Sequence, residues 1–322
     1  MKHTIHITIP AGEFSIPNSW EALSPSQYIA LSSDLSRMSR GELSSMQVRL
    51  NHVCRCLNVD ISGIKSEEAC QNLALLAGMV DFIFSLSYPD NDAALSILSS
   101  KDRDFFKKNA PIPEQGHIGR YLSRLDYRYT LDAVFCAQLI PSVHMPDGEY
   151  IGYSIDTSFD TLTCSLTALQ YIEARDNRNN LPLLSAILYC PQPYDSQTAH
   201  ALASRFAALS DGTLEAIALN FQAFDAYLFL RTHFSILTAG ASTGKIRSGS
   251  YLTGATEALY DLSSDGYGDI AAVEQMNVIK YLTILRKKLI ESVRAMHSAN
   301  MDVVKISRRT NLPIDVINKI IL

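Results

Sequence analysis

Residues 14–31 read F-S-I-P-N-S-W-E-A-L-S-P-S-Q-Y-I-A-L. Apolar residues alternate with polar ones at its start, which predicts a short strand, and Pro17-Asn18-Ser19 predicts a turn after it. Ser24 followed by Pro25 predicts a helix start, because serine caps the first turn and proline suits the first helical position. Trp20 lies between these signals. We therefore predict a strand that places Trp20 in the core beneath the following helix.

A related stretch returns at residues 153–174, which read Y-S-I-D-T-S-F-D-T-L-T-C-S-L-T-A-L-Q-Y-I-E-A. Trp20 corresponds to Phe159 at an offset of 139, and Gln27 corresponds to Gln170 at an offset of 143. Further pairs repeat at an offset of 144: Ala74 and Ala218, Asp81 and Asp225, Leu86 and Leu230. Such small drift in the offset predicts an internal duplication, in which the rings of Trp20 and Phe159 are both buried.

Most of the remaining chain has apolar residues at spacings of three and four, which is typical of amphipathic helices. We predict a mainly α fold with small β-hairpins (α+β). It contains two duplicated helical modules, each opened by a short strand or hairpin, and a C-terminal long helix followed by a helical pair. The predicted segments are a first module at 1–88, a connector with a helix at 89–148, a repeat-related module at 149–236, a Gly/Ser/Thr-rich mobile loop at 237–255, and a basic helical segment at 256–322.

Helical spacing predicts long helices at 66–87 and 270–299. The region 116–140 interleaves arginine with tyrosine, for which the sequence leaves three interpretations open. It is an amphipathic helix with half-buried rings, a protein interface, or a surface on which bases stack.

Composition restricts the class of protein. Hydrophobic residues make up 47% and charged residues 19%, which is enough apolar material for ordinary globular cores. The net charge of −5 argues against general coating of nucleic acid. Residues 1–10 alternate like a strand rather than a signal peptide, and no apolar run is long enough for a membrane span. We expect a soluble protein that is intracellular when made, without membrane contact.

No catalytic or metal-binding motif stands out. The six cysteines contain one close pair, Cys54 and Cys56, which is poor chelate spacing on a helix, and we expect free thiols. Residues 240–245 read G-A-S-T-G-K, but the glycines are one residue too close for a phosphate loop and Ile246 replaces its Ser or Thr. We predict a protein that is not an enzyme, with no cofactor and no metal.

Charge is unevenly distributed along the chain. From residue 277 to the end, nine Lys and Arg residues stand against three acidic ones, a local charge of +6, so that the preceding residues carry −11. This asymmetry predicts that the basic end binds an acidic surface, on a partner or on another copy of the chain. The residues predicted for this partner interface are Arg286, Lys287 and Lys288, with Lys245 and Arg247 in the loop.

Residues 301–322 resemble a helix-turn-helix, with the turn at Thr310-Asn311-Leu312. Lys305, Arg308 and Arg309 are positioned to meet phosphates if the segment binds DNA. The same pattern also occurs in helical pairs that bind only protein. A DNA-binding or regulatory protein is therefore the alternative function.

Residues 16–24, I-P-N-S-W-E-A-L-S, followed by Gln27-Tyr28, resemble the opening of small proteins from tailed bacteriophages and prophages. That opening is a hairpin, then (V/I)-P-x-S-W-x-E-L-(T/S)-x-x-Q-(F/Y), then helices. It is similar to tail-assembly chaperones and neighbouring tail or virion proteins. Ala22 departs from the pattern, which prefers an acidic residue there, and the second copy lacks the proline and the tryptophan.

The resemblance implies a non-enzymatic structural or assembly protein of a phage tail or virion. Its partners would be other virion or tail proteins and copies of itself as a homo-oligomer, and nucleic acid is an unlikely partner. It would work in the host cytoplasm during assembly, and in the virion if it is retained there.

Overall fold

The computed structural model describes residues 3–9, 12–60, 63, 66–89, 95–158, 161–238 and 255–322. These residues are mainly helical and include four small two-stranded antiparallel sheets. The predicted fold class, mainly α with small hairpins, is confirmed. Contacts divide the chain into two compact units, residues 1–133 and 134–322.

In its described residues the first unit combines two antiparallel strand pairs with several helices. Its strands are β1 (Thr4–Ile9), β2 (Gly12–Pro17), β3 (Phe84–Ser87) and β4 (Arg128–Leu131), and its helices are α1 (Pro25–Ser39), α2 (Ser45–Leu57), α3 (Glu67–Met79), α4 (Ser100–Lys108) and α5 (Gly116–Leu122). β1 pairs with β2 so that Ile7 lies opposite Phe14, and β3 pairs with β4 so that Leu86 lies opposite Tyr129.

Local capping explains where the first helices begin. The Ser24 hydroxyl accepts a hydrogen bond of 3.3 Å from the Gln27 amide N–H, and the Gln27 side chain accepts one of 3.0 Å from the Ser24 N–H. Ser44 and Gln47 form the same reciprocal pair at the start of α2. Both sites are capping boxes, in which two otherwise unpaired N–H groups of a first turn are satisfied.

Trp20 joins the beginning of the first unit to its end. Its side chain is buried, with 4% exposed, as predicted. The indole N–H donates a hydrogen bond of 2.8 Å to the carbonyl oxygen of Asp132. The ring also meets Phe82 edge-on, with 5.1 Å between ring centroids. One side chain therefore holds segments together that are far apart in sequence.

The second unit is built around a long buried helix. Its strands are β5 (Ser142–Met145), β6 (Gly148–Ile151), β7 (Ile155–Asp156) and β8 (Thr163–Cys164). Its helices are α6 (Ala168–Asp176), α7 (Leu181–Leu188), α8 (Ser196–Phe206), α9 (Asp211–Leu230), α10 (Ala255–Ser264), α11 (Ile270–Glu274), α12 (Val278–Ser298), α13 (Val303–Thr310) and α14 (Ile314–Ile321). A 3₁₀ helix, His233–Leu237, follows α9. α9 buries Phe221, Phe224 and Phe229, which form much of the core.

The helix start is the part of the predicted duplication that both units share. Thr167 caps α6 by accepting a hydrogen bond of 3.1 Å from the Gln170 N–H, as Ser24 does for Gln27 in α1. Tyr28 and Tyr171, one position later, are both fully buried. The spacing that the two stretches share thus reflects the same capped turn with the same inward-facing ring.

Outside that turn the two regions differ. β2 pairs with the preceding strand, β1, whereas β7 pairs with the following strand, β8. Leu86 lies in strand β3, whereas its proposed counterpart Leu230 ends helix α9. Phe159 lies outside the described residues. The duplication stays a prediction that the shared helix start supports and the later elements do not.

Two predicted helices, and the region 116–140 for which a helix was one open interpretation, are interrupted by tertiary pairing. The helix predicted at 66–87 ends at Met79, since residues 84–87 pair with β4. The region 116–140 contains α5, then β4, then an extended segment. The helix predicted at 270–299 is split into α11 and α12.

Asn277 explains the split between α11 and α12. Its side-chain oxygen accepts a hydrogen bond of 2.9 Å from the Ile279 N–H and so caps α12, while its side-chain amide donates to the Cys164 carbonyl. The flanking backbone also pairs across to the start of α6, where the Ala168 N–H donates to the Met276 carbonyl at 2.7 Å. These bonds compete with helix continuation.

The boundary between the two units lies inside the predicted connector, residues 89–148. Residues up to 133 belong with the first module, and residues from 134 belong with the second. The predicted modules 149–236 and 256–322 share one unit, in which α10, α11 and α12 all contact α6. Across the described part of the chain, no helix combines the length and the apolar character that crossing a membrane requires.

Candidate functional site: a basic groove in the second unit

A groove of about 620 Å³ lies where the end of α9 and the 3₁₀ helix meet α12 and α14. We call it the basic groove. It is lined by Phe229, Leu230, Ser235, Ile236, Thr238, Arg286, Ile290, Arg294, Val316, Lys319 and Ile320.

Helical spacing brings these side chains to one place. Arg286, Ile290 and Arg294 follow one another at intervals of four along α12, so they share one face of that helix. Val316 and Lys319 share a face of α14 in the same way. The result is an apolar surface bordered by positive charge.

The groove is electrostatically one-sided. Arg286, Arg294 and Lys319 contribute positive charge, and the described residues of its lining include no aspartate or glutamate. Among the described residues none of these three cations forms an ion pair. The Arg294 Nε–H donates a hydrogen bond of 3.2 Å to the Ile320 carbonyl, and the Nε of Arg286 is buried without a hydrogen-bond partner among the described residues.

The positive charge of Arg286 affects His233 in the neighbouring 3₁₀ helix. The pKa of His233 is lowered from its ordinary value, first by burial and then by the charge of Arg286. His233 is therefore biased toward its neutral form and adds no charge of its own near neutral pH. The positive potential of the groove comes from the arginines and the lysine.

The described lining offers positive charge beside apolar contact. Among the described lining residues, Ser235 and Thr238 carry hydroxyls, and none carries a carboxylate or an imidazole. The arrangement fits a ligand that carries negative charge beside apolar groups.

The structure separates the three adjacent cations that the sequence predicted as one interface. Arg286 lines the basic groove. Lys287 lies 3.7 Å from Glu291, and Lys288 pairs with Asp265. Lys245 and Arg247 of the predicted interface lie outside the described residues. Arg294 and Lys319, which the sequence reading left unassigned, complete the groove.

Residues 301–322 form a helical pair, α13 and α14, joined by a turn. Asn311 has a φ of 57° and turns the chain between α13 and α14. Lys305, Arg308 and Arg309 are all exposed on one side of α13, while Ile306 and Thr310 are buried on the other. The cations therefore lie on the first helix of the pair, whereas α14 turns Val316, Lys319 and Ile320 toward the basic groove.

The tyrosine- and arginine-rich region supplies a ring to a buried cation in the first unit. Arg49 is 6% exposed, and its guanidinium carbon lies 4.9 Å from the ring centroid of Tyr129 and 5.5 Å from that of Phe84. Its Nε and one terminal nitrogen are buried without hydrogen-bond partners among the described residues. The hydrophobic periodicity of the sequence did not indicate this contact between Arg49 and Tyr129.

A second buried polar cluster lies in the second unit. The Tyr171 hydroxyl donates a hydrogen bond to Asp225, and the Arg175 Nε lies 3.5 Å from the same carboxylate. The pKa of Tyr171 is raised well above its ordinary value, first by burial and then by the charge of Asp225. The hydroxyl therefore stays protonated and acts as a fixed donor that ties α6 to α9.

Within the described ranges, no three His, Cys, Asp or Glu side chains come together in a way that could hold a metal ion. The chain matches no protein-family model, and searches of curated proteins and of solved structures found no match.

Proposed function

We propose that this chain is a non-enzymatic structural or assembly protein that acts through protein–protein contacts at the basic groove. The observation that carries the proposal is that Arg286, Arg294 and Lys319 lie beside an apolar surface, with no acidic residue among the described residues of the lining. A protein segment that presents acidic side chains beside apolar ones complements both features.

The apolar walls strengthen the attraction between the groove cations and an anionic group. A cation beside apolar surface is less screened by water than one on an open surface, so an anionic group placed there is attracted more strongly. Burial of apolar side chains of the partner adds the non-directional part of the binding free energy. A small inorganic anion would use the charge and leave the apolar surface unused.

The resemblance of residues 16–28 to tail-assembly proteins supplies the biological setting. We propose that the partners are tail or virion proteins, including copies of this chain, and that assembly takes place in the host cytoplasm. Electron microscopy of purified particles, combined with mass spectrometry of their contents, tests this setting. Absence of the chain from both particles and assembly intermediates would contradict it.

Three fluorescent peptides of equal length test the binding class. One carries glutamate and leucine at helical spacing, one lysine and leucine at the same positions, and one glutamate and serine. We expect only the first to change its anisotropy with the full chain, and Arg286→Glu with Arg294→Glu to abolish the change. Equal binding of the lysine peptide, or unchanged binding by the variant, would overturn the proposed site.

DNA binding through residues 301–322 remains the alternative function. The observation in its favour is the exposed row of Lys305, Arg308 and Arg309 on α13. In helix-turn-helix proteins the second helix enters the major groove and reads base edges. Here the exposed positions of α14 include Ile314, Asp315 and Asn318, of which Asp315 would repel the phosphate backbone.

A further inference from the structure

We propose that a second copy of this chain fills the basic groove with the outer face of α10, so that copies associate head to tail. The proposal rests on the proposed function, since it takes the groove to be a protein-binding site, and it names the partner segment.

The outer face of α10 is acidic and carries an aromatic ring. Glu257, Tyr260 and Asp261 follow at spacings of three and four, and all are exposed, while Leu259 and Leu262 are buried against the unit. Neither Glu257 nor Asp261 forms an ion pair in the described part of the chain. Tyr260 is 59% exposed.

This face complements the basic groove in charge and in polarity. The carboxylates of Glu257 and Asp261 are opposite in charge to Arg286 and Arg294. The carboxylates lie one helical turn apart and the arginines two turns apart, so the complementarity is one of charge rather than of equal spacing. Leu230 at the groove edge is 68% exposed, and the ring of Tyr260 would cover it. Both apolar groups lose contact with water in the complex, which neither does in the single chain.

The geometry of α12 keeps the outer face of α10 away from the basic groove of the same copy. Lys288 pairs with Asp265, which directly follows α10, whereas Arg286 lines the groove. Two positions along an α-helix differ in direction by about 200°. The α10 side and the groove side therefore face opposite ways, and a contact between them joins different surfaces of two copies, which is the arrangement that produces rings or filaments.

The chain's own residues 239–254 are a poorer occupant, although they follow the lining residue Thr238. They contain Lys245 and Arg247 and no aspartate or glutamate. Their charge has the same sign as that of the groove. A segment from an acidic helix is electrostatically favoured over them.

Two complementary variants test the contact by sedimentation of the full chain at low and high salt. The groove variant is Arg286→Glu with Arg294→Glu, and the face variant is Glu257→Arg with Asp261→Arg. We expect the wild type to form salt-sensitive oligomers, because screening weakens exposed charge pairs. Each variant alone should weaken association by about tenfold or more.

An equimolar mixture of the two variants gives the sharpest result. In the mixture the intact acidic face of the groove variant meets the intact groove of the face variant, so we expect association to recover, with a 1:1 dimer as the smallest species. The two reversed surfaces also carry opposite charges, and any contact between them extends that dimer. The control is Lys280→Glu, a charge reversal at an exposed position of α12 outside the groove lining, which should leave association unchanged. Circular dichroism checks that every variant is folded.

The outcomes separate this proposal from the proposed function. A wild-type chain that stays monomeric at low salt and high concentration, yet binds the glutamate–leucine peptide, overturns self-association and leaves an unlike acidic partner for the groove. A chain that neither associates nor binds the peptide overturns both. Oligomers that persist in both variants overturn this contact alone.

Discussion

The side chain of Asn220 accepts a hydrogen bond of 2.7 Å from the backbone N–H of Leu139. Its amide nitrogen also donates a hydrogen bond of 2.7 Å to the carbonyl oxygen of Ala137. Asn220 lies in the middle of α9 and is 1% exposed. One buried amide thus satisfies two backbone groups of a segment that is itself neither strand nor helix, and it attaches that segment to the central helix of the second unit.

Loss of this amide should be costly. Asn220→Ala leaves a buried N–H and a buried C=O without partners, and we expect the free energy of unfolding to fall by about 2–4 kcal/mol. Urea denaturation followed by circular dichroism measures the change. Asn179→Ala, at an exposed turn position of the same unit, is the control and should have little effect. Equal losses for the two variants would contradict the role of Asn220.

Trp20 should be equally important in the first unit. Trp20→Ala removes a buried ring and its hydrogen bond to Asp132, and we expect a loss of about 3–5 kcal/mol. Trp20→Phe keeps most of the apolar contact and should cost less. Because Trp20 is the only tryptophan, circular dichroism rather than fluorescence must follow the unfolding of these variants. A Phe variant as unstable as the Ala variant would show that the hydrogen bond dominates.

Arg49 should be replaceable by an apolar residue of similar length. Its buried nitrogens lack partners among the described residues, so Arg49→Met removes an uncompensated polar cost while the side chain still packs on Tyr129. We expect unchanged stability or a gain of about 1–2 kcal/mol. Arg49→Ala, which also removes the packing, should be destabilising. Thermal and urea unfolding distinguish the two, and a large loss in the Met variant would contradict this interpretation.

The elements that sequence predicted well are those fixed by neighbouring residues. Ser24 and Gln27 lie three positions apart and cap α1 by themselves, so the helix start is visible without tertiary information. Asn220 and Asn277 differ because their partners lie far away in sequence. An asparagine in an apolar helix gives no indication of which distant backbone it satisfies, and the extended segment near residue 139 and the break before α12 were therefore not predicted.

The same distinction applies to the candidate site. Counting charges located the basic end, but adjacent residues on a helix point about 100° apart, so Arg286, Lys287 and Lys288 do not form one surface. Arg294 could have been placed beside Arg286 from the sequence, because eight positions are about two helical turns. Lys319 could not, because its position beside the two arginines depends on how α14 packs on α12.

Stability of the first unit should decline in mild acid because of His52. This side chain is buried, and its Nε2 donates a hydrogen bond of 2.9 Å to the Pro17 carbonyl. Its pKa is lowered from the ordinary value of 6.5, chiefly by burial and secondarily by Arg55, against opposing effects of the Pro17 hydrogen bond and Asp34.

The sign follows from proton linkage. Below about pH 6.5 the unfolded chain binds a proton at this histidine that the folded chain does not, so stability falls as pH drops. His52→Gln retains a donor toward Pro17 and removes the titration. We expect its free energy of unfolding to depend less on pH between 7 and 5 than that of the wild type. Parallel pH profiles for the two proteins would contradict the burial of a neutral His52.

The final prediction separates protein binding from DNA binding. Lys305, Arg308 and Arg309 form the exposed cationic row of α13, and they contact phosphates if the alternative function is correct. We expect no shifted band in a gel-shift assay with mixed-sequence duplex DNA at low salt, because α14 turns much of its surface toward its own unit. The control is the Arg286→Glu, Arg294→Glu variant, which reverses charge at the groove and leaves α13 intact. A shift that weakens steeply with salt, survives in that control, and is lost in Lys305→Glu with Arg308→Glu and Arg309→Glu would establish the DNA-binding alternative and remove the main argument for a purely protein-binding role.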